Sequence, residues 1–274
     1  MPSTTPLLLS AVIGLCAGLH SSTWGMYKDA PHEGFGWPKF FRSTVIAVLI
    51  AAPIYAVTGY DPATAGGAMM LFGLVYAVER AIAESYKSFF REEDQSKYTI
   101  PMQLAVFGRP VRSRGARWLV GLAYVAIMVG GVYGLVKAQD AYPQLGTRTW
   151  IVILGSLGGW FSAFGGAWKD APIEGFQTLK FFRSPLMAAG YAWILSHVTS
   201  EVAAVVIAAE GFVIATTETY KTFFFPSKPR GKFANKPVLF PEMLERRRYF
   251  VPLYAAIWVA LLAGFVMILR FPAR

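Results

Sequence analysis

Eight long apolar stretches are the sequence feature that most restricts what this chain can fold into. A helix that crosses the hydrocarbon layer of a membrane needs about 20 mostly apolar residues. Apolar residues make up 55% of the chain and charged residues only 15%, a balance typical of membrane proteins. The sequence therefore predicts an all-α integral membrane protein with eight transmembrane helices. The stretches lie near Leu7–Tyr27, Phe40–Val57, Ala63–Phe90, Trp118–Lys137, Thr149–Trp168, Phe181–His197, Glu201–Phe224 and Phe250–Leu269.

The first stretch is predicted to be retained as a membrane helix and not removed as a signal peptide. The preceding residues MPSTTP carry no positive charge, and a close relative of the same helix recurs in mid-chain. The only cysteine, Cys16, lies inside this stretch. One cysteine forms neither an intramolecular disulfide nor a thiolate metal cluster.

Basic residues predict how the chain crosses the membrane. Four loops hold 21 of the 26 lysines and arginines: Lys28–Arg42, Lys87–Arg117, Lys169–Arg183 and Lys221–Arg248. Because basic loops favour the cytoplasmic side, both termini are predicted on the non-cytoplasmic side, and we expect a bacterial cytoplasmic membrane. Anionic lipid headgroups are the expected partners of such a surface. Nothing in the sequence indicates a nucleic-acid partner.

Two halves of the chain repeat one another. Gly14–Ser43 and Gly155–Ser184 are identical at 16 of 30 positions, and ESYKSFF at Glu84–Phe90 is matched by ETYKTFF at Glu218–Phe224. The sequence therefore predicts two tandem four-helix repeats, residues 1–143 and 144–274. Four spans is an even number, so the repeats are predicted to be parallel, with a pseudo-twofold axis along the membrane normal.

Small residues follow one face of the first helix in each repeat. Spacings of three and four place them on one side of a helix, where lipid-embedded helices pack closely. We expect these two helices to lie at the centre and to contact each other, and a pore lined by small residues is the alternative. The residues are Gly14, Gly18, Ser21 and Gly25, matched by Gly155, Gly159, Ser162 and Gly166.

A charged motif after the first helix is present in both repeats. Its KFFRS end is typical of interfacial anchoring, but anchoring does not explain the acids, the proline or the glycine. These indicate a short acidic loop with a fixed backbone, in which glycine permits a positive φ. The charged members are Lys28, Asp29, Glu33, Lys39 and Arg42 in the first copy and Lys169, Asp170, Glu174, Lys180 and Arg183 in the second.

Two explanations of this motif remain open. In the first, its charges pair with one another and tie the cytoplasmic helix ends together. In the second, Lys39, Arg42, Lys180 and Arg183 bind a phosphate or carboxylate near helix N-termini, while the acids hold the cations or ligate a metal. A further pair ends each third helix, Glu84 with Lys87 and Glu218 with Lys221. All of these residues are predicted to converge in one cluster.

Glu79 and Arg80 are predicted to lie deeper in the third helix, with no charged counterparts in the second repeat. Charges at that depth are costly and face protein or water, so both are candidates for a function of one half only. Glu210 is a similar singleton in the seventh helix. Their alternative role is to neutralise nearby partners.

The sequence predicts no metal site and no cofactor. It has no Gly-rich phosphate loop, nucleophile elbow or paired-cysteine motif, and its three histidines are unmatched between the repeats. Three functions remain: a transporter or channel with the charged cluster at its cytoplasmic mouth, an enzyme or binding protein for an anionic lipid headgroup, or an accessory subunit. Other membrane subunits or a second copy are further candidate partners, and whether the protein is an enzyme stays open.

Overall fold

The computed structural model describes residues 4–226 and 231–272, which are mostly helical. These ranges contain eight α-helices of 18 residues or more and one short α-helix of four residues, α8 (Met243–Arg246). A π-helical segment, Tyr86–Phe90, continues the third helix. The long helices are α1 (Thr4–Glu33), α2 (Trp37–Thr58), α3 (Ala65–Ser85), α4 (Arg114–Ala141), α5 (Arg148–Glu174), α6 (Thr178–Leu195), α7 (Val202–Phe223) and α9 (Val251–Arg270).

Seven helical segments of the described chain are long and apolar enough to cross a membrane, which supports an all-α membrane protein. They include every long helix except α6. Helix α6 lies at the predicted sixth span, but Lys180, Arg183 and Pro185 lower its mean hydropathy. The number of eight spans therefore stays a prediction.

Small residues bring α1 against α2 and α5 against α6. A Cβ atom added to Gly14 would lie 2.8 Å from the Cβ of Ala51 on α2, and one added to Gly155 would overlap the Cβ of Ala192 on α6. Only glycine permits such close backbone approach. These glycines thus pack each first helix onto the second helix of its own half.

Helices α3 and α7 form the main contact between the two halves of the chain. A Cβ atom on Gly73 would lie 2.7 Å from the carbonyl oxygen of Ala208, and one on Gly211 would overlap the carbonyl oxygen of Gly73. Buried side chains such as Phe212 and Val75 continue the core around this contact. The expectation that α1 and α5 pack centrally against each other is wrong, because their glycine faces are already covered by α2 and α6.

The segments between α3 and α4 and between α7 and α9 are ordered where the structure describes them. The first contains a 3-10 turn, Gln95–Lys97, and a two-residue hairpin of β1 (Ala105–Val106) and β2 (Arg109–Pro110). The second contains a 3-10 turn, Gly231–Phe233, and α8. These short turns close locally through their own backbone hydrogen bonds.

Candidate functional site

The repeated acidic motif forms the ends of α1 and α5. Asp29, Pro31 and Glu33 lie in the last turns of α1, and the same three positions of the second copy lie in the last turns of α5. The prediction of a short acidic loop is therefore wrong. The chain leaves the helix only after the second acid, through a connection of three residues, 34–36.

Glycine ends the helix in both copies. Gly34 has a φ of 74° and donates its N–H to the carbonyl oxygen of Ala30 at 2.9 Å. Gly175 has a φ of 81° and donates to Ala171 at 3.0 Å. Glycine adopts a positive φ without the steric penalty of a Cβ atom. The predicted positive φ at this position is confirmed.

Ion pairs tie each first helix to the second helix of its half. Lys39 of α2 bonds to Glu33 of α1. Lys180 of α6 donates to Glu174 of α5 at 2.9 Å and lies 3.6 Å from Asp170. The same lysine position thus bonds to the same acid position in both copies, in agreement with the explanation in which the motif holds helix ends together.

The charged pairs at the ends of α3 and α7 join this cluster. Lys87 donates to Glu84 at 2.9 Å. Glu218 accepts from Lys221 of its own helix at 3.4 Å and from Lys28 of α1 at 3.2 Å. The last contact links the two halves, so the structure brings the predicted charged residues of both copies to one end of the bundle.

A cavity of about 220 Å³, here called cavity 1, opens among these helix ends. It lies between the ends of α1, α2 and α3 and reaches residues of α5 and α7 from the other half. Positive side chains dominate its described lining. Eight cations, Lys28, Lys39, Arg42, Arg80, Lys87, Lys169, Lys221 and Lys232, face four acids, Asp29, Glu84, Asp170 and Glu218.

A second cavity of about 180 Å³, cavity 2, lies at the ends of α5, α6 and α7. The small residues that follow one face of α1 and of α5, here called the small-residue stripe, reach the two cavities at their C-terminal end. Ser21 and Gly25 line cavity 1, and Ser162 and Gly166 line cavity 2 at the matching positions. The stripe therefore packs at one end and borders open space at the other. The charged lining of cavity 2 is Asp170, Lys180, Arg183, Glu218 and Lys221.

Most cations of cavity 1 have carboxylate partners. Two that have none within 4 Å, among the residues the structure describes, are Arg42 of α2 and Lys169 of α5. The Nζ atom of Lys169 approaches the sulfur of Met102 at 3.9 Å. Arg183, the counterpart of Arg42, lies over the ring of Tyr220 at 5.8 Å.

Both linkers contribute to the wall of cavity 1. Lys232 donates to Asp29 at 2.7 Å and to Glu33 at 3.2 Å, and the backbone N–H of Thr99 donates to the carbonyl oxygen of Lys232 at 2.8 Å. Tyr98 donates to Glu33 at 3.3 Å. Burial, and after it the negative charge of Glu33, raise the pKa of Tyr98 above its ordinary value. We call residues 98–102 and 231–234 the lid of cavity 1.

The lid was not predicted from the sequence. Lys232 lies in a linker with many basic residues, and it has no counterpart in the first copy that would single it out. For Arg247 the sequence does contain a signal, because a proline within a helix leaves a backbone carbonyl oxygen without its usual hydrogen bond. Pro31 cannot donate to the carbonyl oxygen of Tyr27 four residues earlier, and Arg247 donates to that oxygen at 2.8 Å.

Glu79 and Arg80 form a buried pair. Arg80 donates to the two carboxylate oxygens of Glu79 at 2.6 and 2.7 Å and to the hydroxyl of Ser43 at 3.1 Å. The Glu79 side chain is 1% exposed. Its charge is therefore balanced by its own neighbour. Arg80 also lines cavity 1.

Within residues 4–226 and 231–272, no group of three or more His, Cys, Asp or Glu side chains is placed to hold a metal ion. The motif acids contact lysines instead. Comparison of the chain with known proteins gives no match to a family model, a curated protein or a solved structure. Function is therefore inferred from the cavities alone.

Proposed function

We propose that the protein binds the phosphate-bearing headgroup of an anionic lipid in cavity 1. The observation that supports this is the unbalanced positive charge of the cavity wall. Eight cations and four acids line it, and six of the eight cations have a carboxylate within 4 Å in the described chain. Two positive charges have no such partner.

The two surplus charges belong to Arg42 and Lys169, the cations without a carboxylate partner in the described chain. A cation held partly away from water is unfavourable unless it is paired and hydrogen-bonded. Phosphate oxygens accept charge-assisted hydrogen bonds from both arginine and lysine. A phosphate between these residues would complete the pairing that the protein leaves open.

Exposed apolar side chains favour a lipid as the source of this phosphate. Trp37, 57% exposed, and Phe41 flank Lys39 and Arg42 on the same helix end. Aromatic rings of this kind lie at the level of lipid headgroups. We therefore place the rim of cavity 1 at headgroup depth, where an anionic lipid can enter from the side.

The proposal adopts the membrane arrangement predicted from the sequence. Eight spans, two parallel repeats, both termini outside and the cavities on the cytoplasmic face of a bacterial membrane are parts of it. Its support is the matching geometry of the two copies, including the Lys39–Glu33 and Lys180–Glu174 pairs and the glycine that ends each helix.

Transport of the anion is the second candidate. Cavity 1 extends along α1 from Lys28 to Ser21, which is about 10 Å at the rise of a helix. Apolar side chains such as Met70 and Phe72 occupy the core, so passage would require a further conformation. An enzyme is supported less well, because the carboxylates needed for acid–base or metal chemistry are bonded to lysine or arginine.

The test uses the purified full chain in nanodiscs of phosphatidylcholine, titrated with phosphatidic acid. We expect the variant with Arg42→Ala and Lys169→Ala to bind phosphatidic acid at least about 10-fold more weakly than the wild type. The control variant carries Lys97→Ala and Arg109→Ala, which remove two exposed positive charges from the first linker. Equal binding by the two variants would overturn the proposal.

A second arm separates the lipid from its phosphate. Inorganic phosphate is added to the same nanodiscs at fixed phosphatidic acid. A bound lipid resists displacement at millimolar phosphate, because its acyl chains hold it in the bilayer. Complete displacement would show that free phosphate is the ligand and would exclude the lipid.

A further inference from the structure

Glu210 is a carboxyl group in the interior of α7. It lies eight residues after Val202 and thirteen before Phe223, or about 12 and 20 Å from the two ends of the helix. No Lys, Arg or His of the described chain lies within 4 Å of it to form an ion pair. It differs in this from Glu79, whose charge is matched by Arg80.

Two residues of α5 accommodate the Glu210 side chain. Ser162 of α5 donates its hydroxyl to Oε1 of Glu210. Oε2 is buried and has no hydrogen-bond partner in the described residues. Gly158 lies one helical turn before Ser162 on α5 and leaves space for the Glu210 side chain. A Cβ atom at Gly158 would lie 2.9 Å from the Cβ of Glu210 and 3.2 Å from its Oε2.

This geometry suits a neutral carboxyl group. An ionised carboxylate without a partner is strongly disfavoured in an apolar interior and takes up a proton instead. One serine hydroxyl is too little to replace the water or cations that a buried carboxylate needs. Oε2, with no donor facing it, leaves the ionised form short of the hydrogen bonds it needs, and Oε1 is the atom that can receive a proton from Ser162.

Ser162, whose hydroxyl bonds to Glu210, is also a lining residue of cavity 2. The same residue therefore borders both the carboxyl group and the open space. The first half lacks this arrangement. Aligning Glu84 with Glu218 places Tyr76 opposite Glu210, and the Tyr76 hydroxyl accepts from Trp24 at 2.8 Å and contacts His20 at 3.0 Å.

We propose that Glu210 is an intramembrane proton-binding site that exchanges its proton with cavity 2 through Ser162. A hydronium ion in cavity 2 gives a proton to Ser162 Oγ as the Ser162 hydroxyl gives its own proton to the Glu210 carboxylate. One O–H bond forms for each that breaks, and the hydronium ion becomes water. The site is independent of headgroup binding in cavity 1.

Other groups around α7 do not supply a counter-charge. Tyr124 of α4 is the titratable side chain that interacts with Glu210. Tyr191 of α6 bonds to Thr216, and Lys28 of α1 bonds to Glu218. Helix α3 contacts α7 through uncharged residues that include Gly73, Ala77 and Phe72.

Dicyclohexylcarbodiimide tests the protonation state, since it modifies protonated carboxyl groups in apolar surroundings. The full chain in nanodiscs is treated between pH 6 and pH 9, digested and analysed by mass spectrometry. We expect modification at Glu210 that decreases as pH rises, and at least 10-fold less at the ion-paired Glu33, Glu174 and Glu218, which act as internal controls. Equal modification of these acids would overturn the proposal.

Infrared spectroscopy tests both the proton and its route. Glu210→Gln should remove a C=O band of a protonated carboxyl group, and Ser162→Ala should retain the band but slow its shift in D2O at least about 10-fold. Glu79→Gln, which replaces the ion-paired acid, should leave the band in place. An unchanged spectrum in Glu210→Gln overturns the site, and an unchanged exchange rate in Ser162→Ala overturns the route.

Discussion

The two charged cavities are built from matching residues but differ in the partners of their charged groups. In cavity 2, Lys180 contacts both acids of its own motif, and Arg183 lies over Tyr220. In cavity 1, Lys39 contacts Glu33, while Asp29 is bonded to Lys232 from the lid and Arg42 has no carboxylate partner in the described chain. The repeated residues therefore provide the same ion pairs between helices twice, and the unrepeated neighbours decide how the remaining charges of each cavity are paired.

The halves also differ deeper in the bundle. The first half places hydrogen-bonded aromatic and histidine side chains next to the small-residue stripe, and the second places Glu210 there. If both proposals hold, one half binds the anion and the other binds the proton. Four predictions test this comparison, ordered from the largest expected effect to the smallest.

Glu218→Gln should have the largest effect. It leaves Lys28 and Lys221 without their carboxylate, and the Glu218 side chain is only 15% exposed. We expect the free energy of unfolding to decrease by about 2 to 3 kcal/mol. The matched change Glu84→Gln should cost about 1 kcal/mol or less, because that side chain is 46% exposed and solvent screens it. Thermal unfolding in detergent measures both, and equal losses would contradict the asymmetry.

Gly25→Leu and Gly166→Leu compare the cavities directly. Both glycines have nothing within 4 Å of an added Cβ atom, so neither change should disturb packing. Gly25→Leu fills cavity 1 and should weaken phosphatidic acid binding about 10-fold, or about 1.4 kcal/mol. Gly166→Leu fills cavity 2 and should leave the affinity unchanged. The nanodisc titration decides, and equal weakening by both would show that cavity 1 is not the distinct site.

Lys232→Ala tests the contribution of the lid. It removes one positive charge from the wall and frees Asp29 and Glu33 to repel an anion. We expect phosphatidic acid binding to weaken about 3- to 5-fold, or about 1 kcal/mol. Lys236→Ala is the control, because Lys236 lies in the same linker and bonds only to the backbone of Ser96 in the described chain. A larger loss with Lys236→Ala would contradict the role of the lid.

Tyr98→Phe should have the smallest effect, about 0.5 to 1 kcal/mol of unfolding free energy, since it removes one hydrogen bond to Glu33. The folded-state pKa of Tyr98 is raised above its ordinary value of 10.0. The hydroxyl therefore contributes its full stability at pH values below about 10 and loses it as pH rises through the folded-state pKa. The unfolding free energies of wild type and Tyr98→Phe should therefore differ by the same amount at pH 6 and at pH 9. A difference that changes over this range would contradict the raised pKa of Tyr98.

Local features of the sequence predicted much of this arrangement. Apolar length predicted the helices, and glycine in the repeated motif predicted the positive φ at Gly34 and Gly175. The acid-to-lysine ties follow from opposite charges at matched short spacings. Each of these features is set by residues a few positions apart, so it can be read directly from the sequence.

Contacts between distant segments were harder to predict. A small-residue face indicates close packing but not which helix packs there, so the sequence predicts a contact of α1 with α5, whereas α2 covers that face. Proline suggested a loop, yet Pro31 is accepted within α1 because Arg247 binds the carbonyl oxygen that proline leaves free. The lid depends on Lys232 crossing to Asp29, some 200 residues away in the chain, which no local pattern indicates.

The crossing of α3 and α7 has a consequence for how the molecule can move. At Gly73 and Gly211 the two backbones touch, with no side chain between them to deform. A contact of this kind permits rotation about one point but resists sliding, so we expect it to act as a fulcrum. Motions that widen one cavity would then swing the α1–α2 or α5–α6 pair about this point. Each cavity would then change its volume as a helix pair rotates, while the contact between α3 and α7 stays in place.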